Sequence, residues 1–211
     1  HLFAPYMKAT FGPVYVEGEV NYWTGNQMAF EAGSTNIKRD GLSAYVYAKA
    51  NMGPAYFGAQ FGWSAGDDPT TTDKNEAGGG GGADWNPALI LMNDELATWQ
   101  GTSSGTQIGA NASNSGKSNM LLWNVFGGFN PTPKMNLEMA FTSAAADKVA
   151  ANWDKEMGME IDVKATYKIY DNLTYMVGAG YLWTGDYFKR GVSTASVGND
   201  YILMNRLTLS F

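Results

Sequence analysis

Cysteine is absent from the 211-residue sequence, and histidine occurs only once, at His1. A chain without cysteine has no disulfide framework, no thiolate zinc site and no iron–sulfur cluster. Charged residues make up only 16% of the chain, whereas an average soluble domain contains about 25%. The net charge of −6 argues against a nucleic-acid partner, because phosphates require a basic surface. No apolar run approaches the roughly 18 residues of a membrane-spanning helix, so helical spans are excluded.

The dominant feature of the sequence is an alternation of apolar and polar residues with a period of two. Such a pattern is typical of a strand with one apolar and one polar face. Segment 118–129 fits less well, because Leu122 and Phe126 fall on the face that should be polar. The pattern predicts an all-β chain whose nine strands lie at 3–11, 14–23, 42–49, 55–64, 118–129, 135–142, 156–168, 173–183 and 201–211.

The connections between these segments alternate in length. Short turns at 12–13, 51–54, 130–133 and 170–172 alternate with long polar segments at 24–41, 65–117, 144–155 and 185–199. The short connections contain Gly, Pro, Asn and Asp, which set or permit turn dihedrals. All short turns therefore lie at one end of the strands, as in an antiparallel up-and-down meander.

Two kinds of two-faced sheet are compatible with this pattern. A soluble sandwich or lipocalin-like barrel turns its apolar face inward, whereas a membrane barrel turns that face to lipid and encloses a wet lumen. Segments of about ten residues match the length that crosses a bilayer at a tilt. The aromatic residues predict two interfacial belts, with Trp23, Trp63, Trp183 and Tyr201 at the long-loop ends and Phe11, Phe57, Phe129, Tyr175 and Phe211 at the short-turn ends. The membrane barrel is the favoured interpretation.

The polar face of such a barrel lines its lumen. The predicted pore-lining residues are Lys8, Glu17, Glu19, Lys49, Gln60, Glu138, Glu160, Asp162, Lys164, Lys168 and Arg206. Acids two apart on a strand share a face, so these pairs are interpreted as a solvated wall balanced by basic residues. No metal site is predicted in the barrel. The alternative is a weak Ca²⁺ site formed by Asp67, Asp68 and Asp73 in the longest loop, which lacks EF-hand spacing.

The end of the chain is similar to a known family. The stretch from Tyr201 to Phe211 resembles the C-terminal assembly signal of bacterial outer-membrane porins, and the hairpin at 12–25 looks most like those of the alginate-export-type porins. The resemblance implies a location in the bacterial outer membrane, contact with lipid and lipopolysaccharide, and recognition of Phe211 by the barrel-assembly machinery. It also implies periplasmic short turns and extracellular long loops.

Strand parity bears on the completeness of the barrel. Bacterial single-chain barrels have an even number of strands, so nine readable strands imply a total of ten or more. The other interpretation is an eight-stranded barrel in which residues 1–13 form no membrane strand. Residues 1–211 are accordingly either one transmembrane barrel domain or the C-terminal part of a larger one.

The loop at 65–117 contains a predicted helix near 87–99. Asn86 is the expected N-cap, and Pro87 occupies the first helical position. The apolar residues along one stripe are Leu89, Met92, Leu96 and Trp99. An apolar stripe needs a surface to cover, which is the barrel rim, the lumen or a neighbouring subunit of a homo-oligomer. The sequence does not choose among a lid, a constriction and a subunit contact.

The chemistry of the chain favours transport over catalysis. Enzymes that this chain resembles in architecture need an embedded histidine as base, and His1 at the terminus cannot be held as one. We therefore expect no enzymatic activity and no cofactor. The leading hypothesis is an outer-membrane porin for passive diffusion of small hydrophilic solutes or ions. The alternative is a closed structural or adhesive barrel, or a sheath for a partner protein, without a conducting pore.

Overall fold

A computed structural model of the chain describes residues 1–31, 35–79, 85–91 and 118–211. These residues form an all-β structure with one short 3₁₀ helix at Asp186–Lys189. The strands are β1 (Leu2–Phe3), β2 (Tyr6–Phe11), β3 (Val14–Met28), β4 (Ile37–Met52), β5 (Ala55–Ser64), β6 (Lys74–Asn75), β7 (Met120–Thr132), β8 (Met135–Ala145), β9 (Glu156–Tyr170), β10 (Leu173–Thr184) and β11 (Asp200–Leu209). None of the helices in this described part is long and apolar enough to span a membrane.

The strands form one antiparallel up-and-down sheet in which each long strand pairs with its neighbour in sequence. β1 and β2 both pair with β3 and together make one strand line, which is interrupted at Ala4 and Pro5. The nine predicted strands are thus the nine strand lines of the sheet. The remaining short strand, β6, pairs in parallel with the start of β4 and was not predicted. Within the described residues the sheet is open, since the first strand line and β11 do not pair with each other.

Tight turns join the strands at the short-turn end. Gly12 and Gly53 have φ values of +58° and +64°, a left-handed conformation that glycine adopts without a steric penalty. Proline follows each of these glycines and presets the next dihedral. The predicted hairpin turns therefore have the residues that their backbone conformation requires.

At the opposite end β3 and β4 are longer than predicted. They pair through Met28 and Ile37, so the long loop expected at 24–41 is largely a continuation of the hairpin. Residues 87–91, the described start of the predicted helix at 87–99, form bends and a turn, not a helix. The rest of that predicted helix lies outside the described residues.

Cross-strand register divides the sheet into two chemically different faces. Directly opposite residues share a face, and one row of them around the sheet is Val16, Ala48, Ala59, Val125, Phe141, Ile161, Tyr181 and Tyr201. The adjacent row on the other face is Lys8, Glu17, Tyr47, Gln60, Asn124, Thr142, Glu160 and Leu182. We call the first the outer face and the second the inner face.

The outer face remains uncovered although it is apolar. Large side chains such as Phe57, Val163 and Leu203 are 54%, 50% and 78% exposed. Burial occurs on the inner face instead, where Leu122, Glu160 and Leu182 are fully buried. A soluble fold has the opposite arrangement, so this sheet is the wall of a transmembrane β-barrel in the bacterial outer membrane.

Candidate functional site

The candidate site is the inner face together with the part of the long loop that lies against it. Residues 85–91, which we call the inward segment, cross from the loop onto the inner face. They pack on side chains of several strands, which are Met120, Leu122, Ala144, Met157, Met176, Leu182 and Met204. Residues 85–91 of the long loop therefore lie on the inner face of the wall.

Two carboxyl groups of β9 hold the backbone of the inward segment. Glu160 Oε1 accepts hydrogen bonds from the amides of Leu89 at 2.9 Å and Ile90 at 2.7 Å. Glu160 Oε2 accepts one from the amide of Leu91 at 2.7 Å. Asp162 Oδ2 accepts a further bond from the Leu89 amide at 3.2 Å. The inward segment is thereby fixed to the wall through main-chain groups.

Side-chain amides of β5 and β7 hold the start of the same segment. The indole of Trp85 donates to Gln60 Oε1 at 2.8 Å, and Gln60 Nε2 donates to Asn124 Oδ1 at 2.9 Å. Asn124 Nδ2 in turn donates to the Pro87 carbonyl at 3.1 Å and to Thr142 Oγ1 at 2.8 Å. Glycine makes room for this contact, because a Cβ on Gly62 would overlap the indole of Trp85.

The inward segment changes the role expected for two predicted pore-lining acids. Glu160 and Asp162 do face inward, but their exposed fractions are 0% and 2% because the segment covers them. They therefore hold the segment and do not line open space. The alternation predicts the face of each acid, whereas the covering group is main chain and leaves no side-chain pattern in the sequence.

A second group of inner-face residues surrounds Glu17 of β3. The hydroxyls of Tyr6, Tyr15 and Tyr45 all donate to its carboxylate, and we call these four residues the Glu17 cluster. Lys8 lies directly opposite Glu17 on β2. Glu19, two residues along β3, accepts a bond from Asn21. The inner-face positions of these predicted pore-lining residues follow from the alternation, but the three tyrosines were not predicted as site residues.

An ion pair and a cation–π contact lie nearer the short-turn end. Lys164 Nζ is 2.6 Å from Glu138 Oε1, and the Tyr56 hydroxyl donates to Glu138 Oε2 at 2.7 Å. Lys49 Nζ lies 3.8 Å from the centre of the Tyr56 ring. These contacts balance acids with bases on the wall, as the sequence analysis expected of its charged face.

The last two predicted pore-lining residues lie apart from these groups. Lys168 Nζ lies 3.0 Å from Oδ1 of Asp171 in the adjoining turn. The hydrogen bond from Lys168 holds the pKa of Asp171 below its usual range. Arg206 of β11 is half-buried and lies opposite Met176 on the inner face. The structure thus brings the predicted residues to one face but separates them into several contact groups.

The aromatic belt residues lie on the outer face with one exception. Phe11, Phe57, Phe129, Tyr175, Trp183, Tyr201 and Phe211 are exposed, and Trp63 is half-buried beside Asp147. Trp23 instead packs next to Gly79 of the long loop and lies opposite Gly41 on the inner face. Its assignment to a belt is wrong, because position 23 has the same parity as Glu17 and Glu19.

The alternative of a Ca²⁺ site at Asp67, Asp68 and Asp73 has no support among the described residues. Among the described residues, no group of three or more acidic or histidine side chains comes together to hold a metal ion. Asp67 accepts the Glu76 amide at 2.9 Å, and burial raises the pKa of its carboxyl. Hydrogen bonds from Thr70 lower the pKa of Asp68. Asp68 Oδ2 also lies 3.4 Å from Lys148 Nζ. The loop therefore uses these carboxylates to order its own backbone.

Comparisons with known proteins give the following results. No protein-family model matches the sequence, and a search of curated proteins finds no match. Among solved structures, the fold is similar to outer-membrane expressed OmpT of Vibrio cholerae, at 17% identity and a TM-score of 0.44 over 85% of this chain and 44% of that chain. A loop L8 deletion mutant of the same protein gives 16% identity and a TM-score of 0.46 over 96% and 52%. The NanC porin gives 11% identity and a TM-score of 0.41 over 100% and 93%.

The chain spans about half the length of the two Vibrio cholerae structures. At these identities and TM-scores, the similarity does not by itself support the assignment of the sheet to an outer-membrane barrel. The assignment rests on the two chemically different faces of the sheet, which make this chain the wall of an outer-membrane β-barrel.

Proposed function

We propose that the protein is an outer-membrane porin through which small hydrophilic solutes or ions diffuse passively. The observation that carries this proposal is the charged, ion-paired inner face behind an apolar outer face. A polar inner face gives water and solutes a favourable surface across the apolar layer. The inward segment narrows this path from the side of β7 to β11.

We also propose that the protein is not an enzyme and that it belongs with the alginate-export-type porins that its hairpins resemble. The acids that could do acid–base chemistry are engaged elsewhere, since Glu160 and Asp162 bind main-chain amides and Glu17 binds three tyrosines. The sequence supplies no histidine besides His1 to act as base. These observations support passive transport.

A closed structural barrel is the second candidate, and one observation favours it. The inward segment and the residues under it form an apolar cluster that excludes water from part of the inner face. A barrel filled in this way across its whole width would not conduct. The uncovered Glu17 cluster and the Glu138–Lys164 pair favour the channel.

Planar-bilayer recording tests the proposal. We expect the full chain, folded in detergent and added to the bilayer, to produce discrete steps of ionic conductance. Heat-denatured protein in the same detergent is the control and should produce no steps. Folded, membrane-inserted protein that gave no steps would contradict the porin and favour the closed barrel.

A further inference from the structure

A small cavity lies among the loops at the long-loop end of the wall. Its lining comes from Asp67 and Pro69, from the loop at 148–153, from Tyr187 of the 3₁₀ helix and from Asn119 just before β7. Its volume is about 150 Å³, and a cavity of this volume can hold a benzene-sized molecule. Sites for drug-sized ligands begin at about 300 Å³. The cavity therefore suits a very small solute.

Asn119 fixes one side of the cavity. Its φ of +56° lies in the left-handed region, which asparagine tolerates better than most residues. Its side-chain amide binds the main chain of Lys148 twice, since Oδ1 accepts the Lys148 amide at 2.7 Å and Nδ2 donates to the Lys148 carbonyl at 2.9 Å. A Cβ on Gly66 would overlap this amide, so glycine makes room for it. The loop that contains Lys148 is thereby tied to the start of β7.

Two aromatic rings form the apolar part of the lining. The ring centres of Trp153 and Tyr187 are 6.1 Å apart, and the rings meet edge to face at 79°. Gly191 has a φ of +74°, and a Cβ there would overlap the indole of Trp153. Tyr187 also packs on the apolar cluster beneath the inward segment. Both rings are therefore held in place by their surroundings.

A carboxylate and two donors form the polar part of the lining. Asp67 is exposed, and its Oδ1 accepts the Glu76 amide at 2.9 Å. Lys148 Nζ lies 3.4 Å from Asp68 Oδ2 with the side chain 45% exposed, so this ammonium group, which has three donors, keeps some of them for a ligand.

The hydroxyl of Tyr187 is the second donor. It makes no hydrogen bond to another residue in the part of the chain that the structure describes. Burial raises the pKa of Tyr187, so the hydroxyl keeps its proton at neutral pH. The cavity thus offers an anionic acceptor, a cationic donor and a neutral donor beside two apolar rings.

We propose that this cavity binds a small zwitterionic amino acid, such as alanine. Asp67 accepts hydrogen bonds from the α-ammonium group, and Lys148 and Tyr187 donate to the α-carboxylate. The Trp153 ring packs against the side-chain methyl group. A simple carboxylate leaves Asp67 without a partner, and a simple amine leaves Lys148 without one, so the zwitterion matches the lining best. The site lies in the loops, and its occupation does not depend on whether the barrel conducts.

The test is a titration of the folded full chain in detergent with L-alanine, followed by saturation-transfer NMR of the alanine methyl group. We expect a saturable signal. Propionate and ethylamine each lack one of the two charged groups and should bind about tenfold more weakly or less, because a hydrogen bond to a charged group is lost.

Three substitutions assign the roles of the lining residues. Asp67→Asn keeps an oxygen for the Glu76 amide but removes the charge, and Lys148→Met removes the ammonium group. Tyr187→Phe keeps the ring and removes a hydroxyl that holds no other described residue. Each should weaken alanine binding about tenfold.

Control variants separate binding from misfolding. Lys38→Met and Tyr201→Phe change exposed residues outside the cavity and should leave the affinity unchanged. Absence of a saturable signal from folded protein would overturn the amino-acid site, as would equal binding of propionate or ethylamine. Unchanged binding in Asp67→Asn or Tyr187→Phe would also overturn it. Missing conductance steps in folded protein contradict only the channel, because this titration does not measure conduction.

Discussion

Glu160 shows at the scale of one residue how the wall holds its loop. A carboxyl group with no exposed surface is costly to bury unless its oxygens accept hydrogen bonds. Both oxygens of Glu160 do so, from three consecutive amides of the inward segment. An amide side chain of the same shape offers one acceptor oxygen in place of two and adds an N–H group.

We therefore expect Glu160→Gln to weaken the attachment of the inward segment. One backbone donor loses its acceptor, and a buried donor without an acceptor costs about 1 to 3 kcal/mol. Urea unfolding in lipid vesicles should show a loss in this range, and the open-channel conductance should rise because the segment leaves the wall. Hydrogen exchange at Leu89, Ile90 and Leu91 should also become faster.

Glu156→Gln is the matched control for this prediction. Glu156 belongs to the same strand, but its side chain is exposed. The control should leave unfolding, conductance and exchange unchanged. Equal effects of the two substitutions would show that the charge of β9, and not the hydrogen bonds of Glu160, matters for the segment.

The contrast between Glu160 and Trp85 also marks what sequence reveals about single residues. Alternation along β9 correctly places Glu160 on the inner face. Trp85 lies in an irregular segment, where no periodicity assigns a direction to its side chain. The sequence did contain a sign that the inner face is covered. Apolar residues at polar-face positions, here Leu122 and Phe126, indicate that another group packs on them from inside the barrel.

At the scale of a strand, β9 alternates lipid-facing and inward-facing residues from Met159 to Lys168, whereas a bulge at its start turns Met157 inward. Val163 is 50% exposed on the outer face, and Thr166 lies on the inner face opposite Asn136 and Met176. The two residues belong to one strand and differ in the medium that they meet. This makes them a matched pair for the facing of the sheet.

Val163→Arg should destabilise the barrel by about 2 to 4 kcal/mol, since it places a cation in the apolar layer. Thr166→Arg adds the same side chain to the inner face and should cost less than about 1 kcal/mol, because an arginine there stays hydrated. Denaturant unfolding of both variants in vesicles measures the difference. A larger loss for Thr166→Arg would reverse the assignment of the faces.

Strand positions were predicted well where lipid imposes the alternation and less well beyond it. The two short-turn ends at Gly12 and Gly53 agree because a Gly-Pro dipeptide fixes each of them. The upper parts of β3 and β4 contain polar residues on both faces, such as Arg39 and Asp40. No apolar face remains there to indicate a strand, although the hairpin continues.

At the scale of the whole molecule, the direction of the strands limits how the sheet closes. Nine antiparallel strand lines make the first line and β11 run the same way, so direct pairing of the two would be parallel. Bacterial barrels close with antiparallel neighbours. Antiparallel closure of the described sheet would therefore require a further strand between the first line and β11.

The absence of native cysteine makes this testable by cross-linking. Ala9→Cys combined in turn with Leu203→Cys, Asn205→Cys and Leu207→Cys should give no disulfide on oxidation in the membrane, since a disulfide needs Cβ atoms about 3.5 to 4.5 Å apart. The control pair Val16→Cys with Ala48→Cys joins directly opposite outer-face residues and should cross-link. A disulfide between Ala9→Cys and any β11 position would contradict the additional strand.

The attachment of the inward segment also has a consequence for the order of assembly. Leu89, Ile90 and Leu91 bind Glu160 across 69 to 71 positions of sequence, so the chain presents the donors long before the acceptor. Contacts of such separation form late, because the intervening chain must first be ordered. Until β9 joins the sheet, these three main-chain donors lack their acceptor. The inward segment therefore attaches to the wall only after β9, the strand with Glu160, has joined the sheet. The lumen acquires its final width at that step.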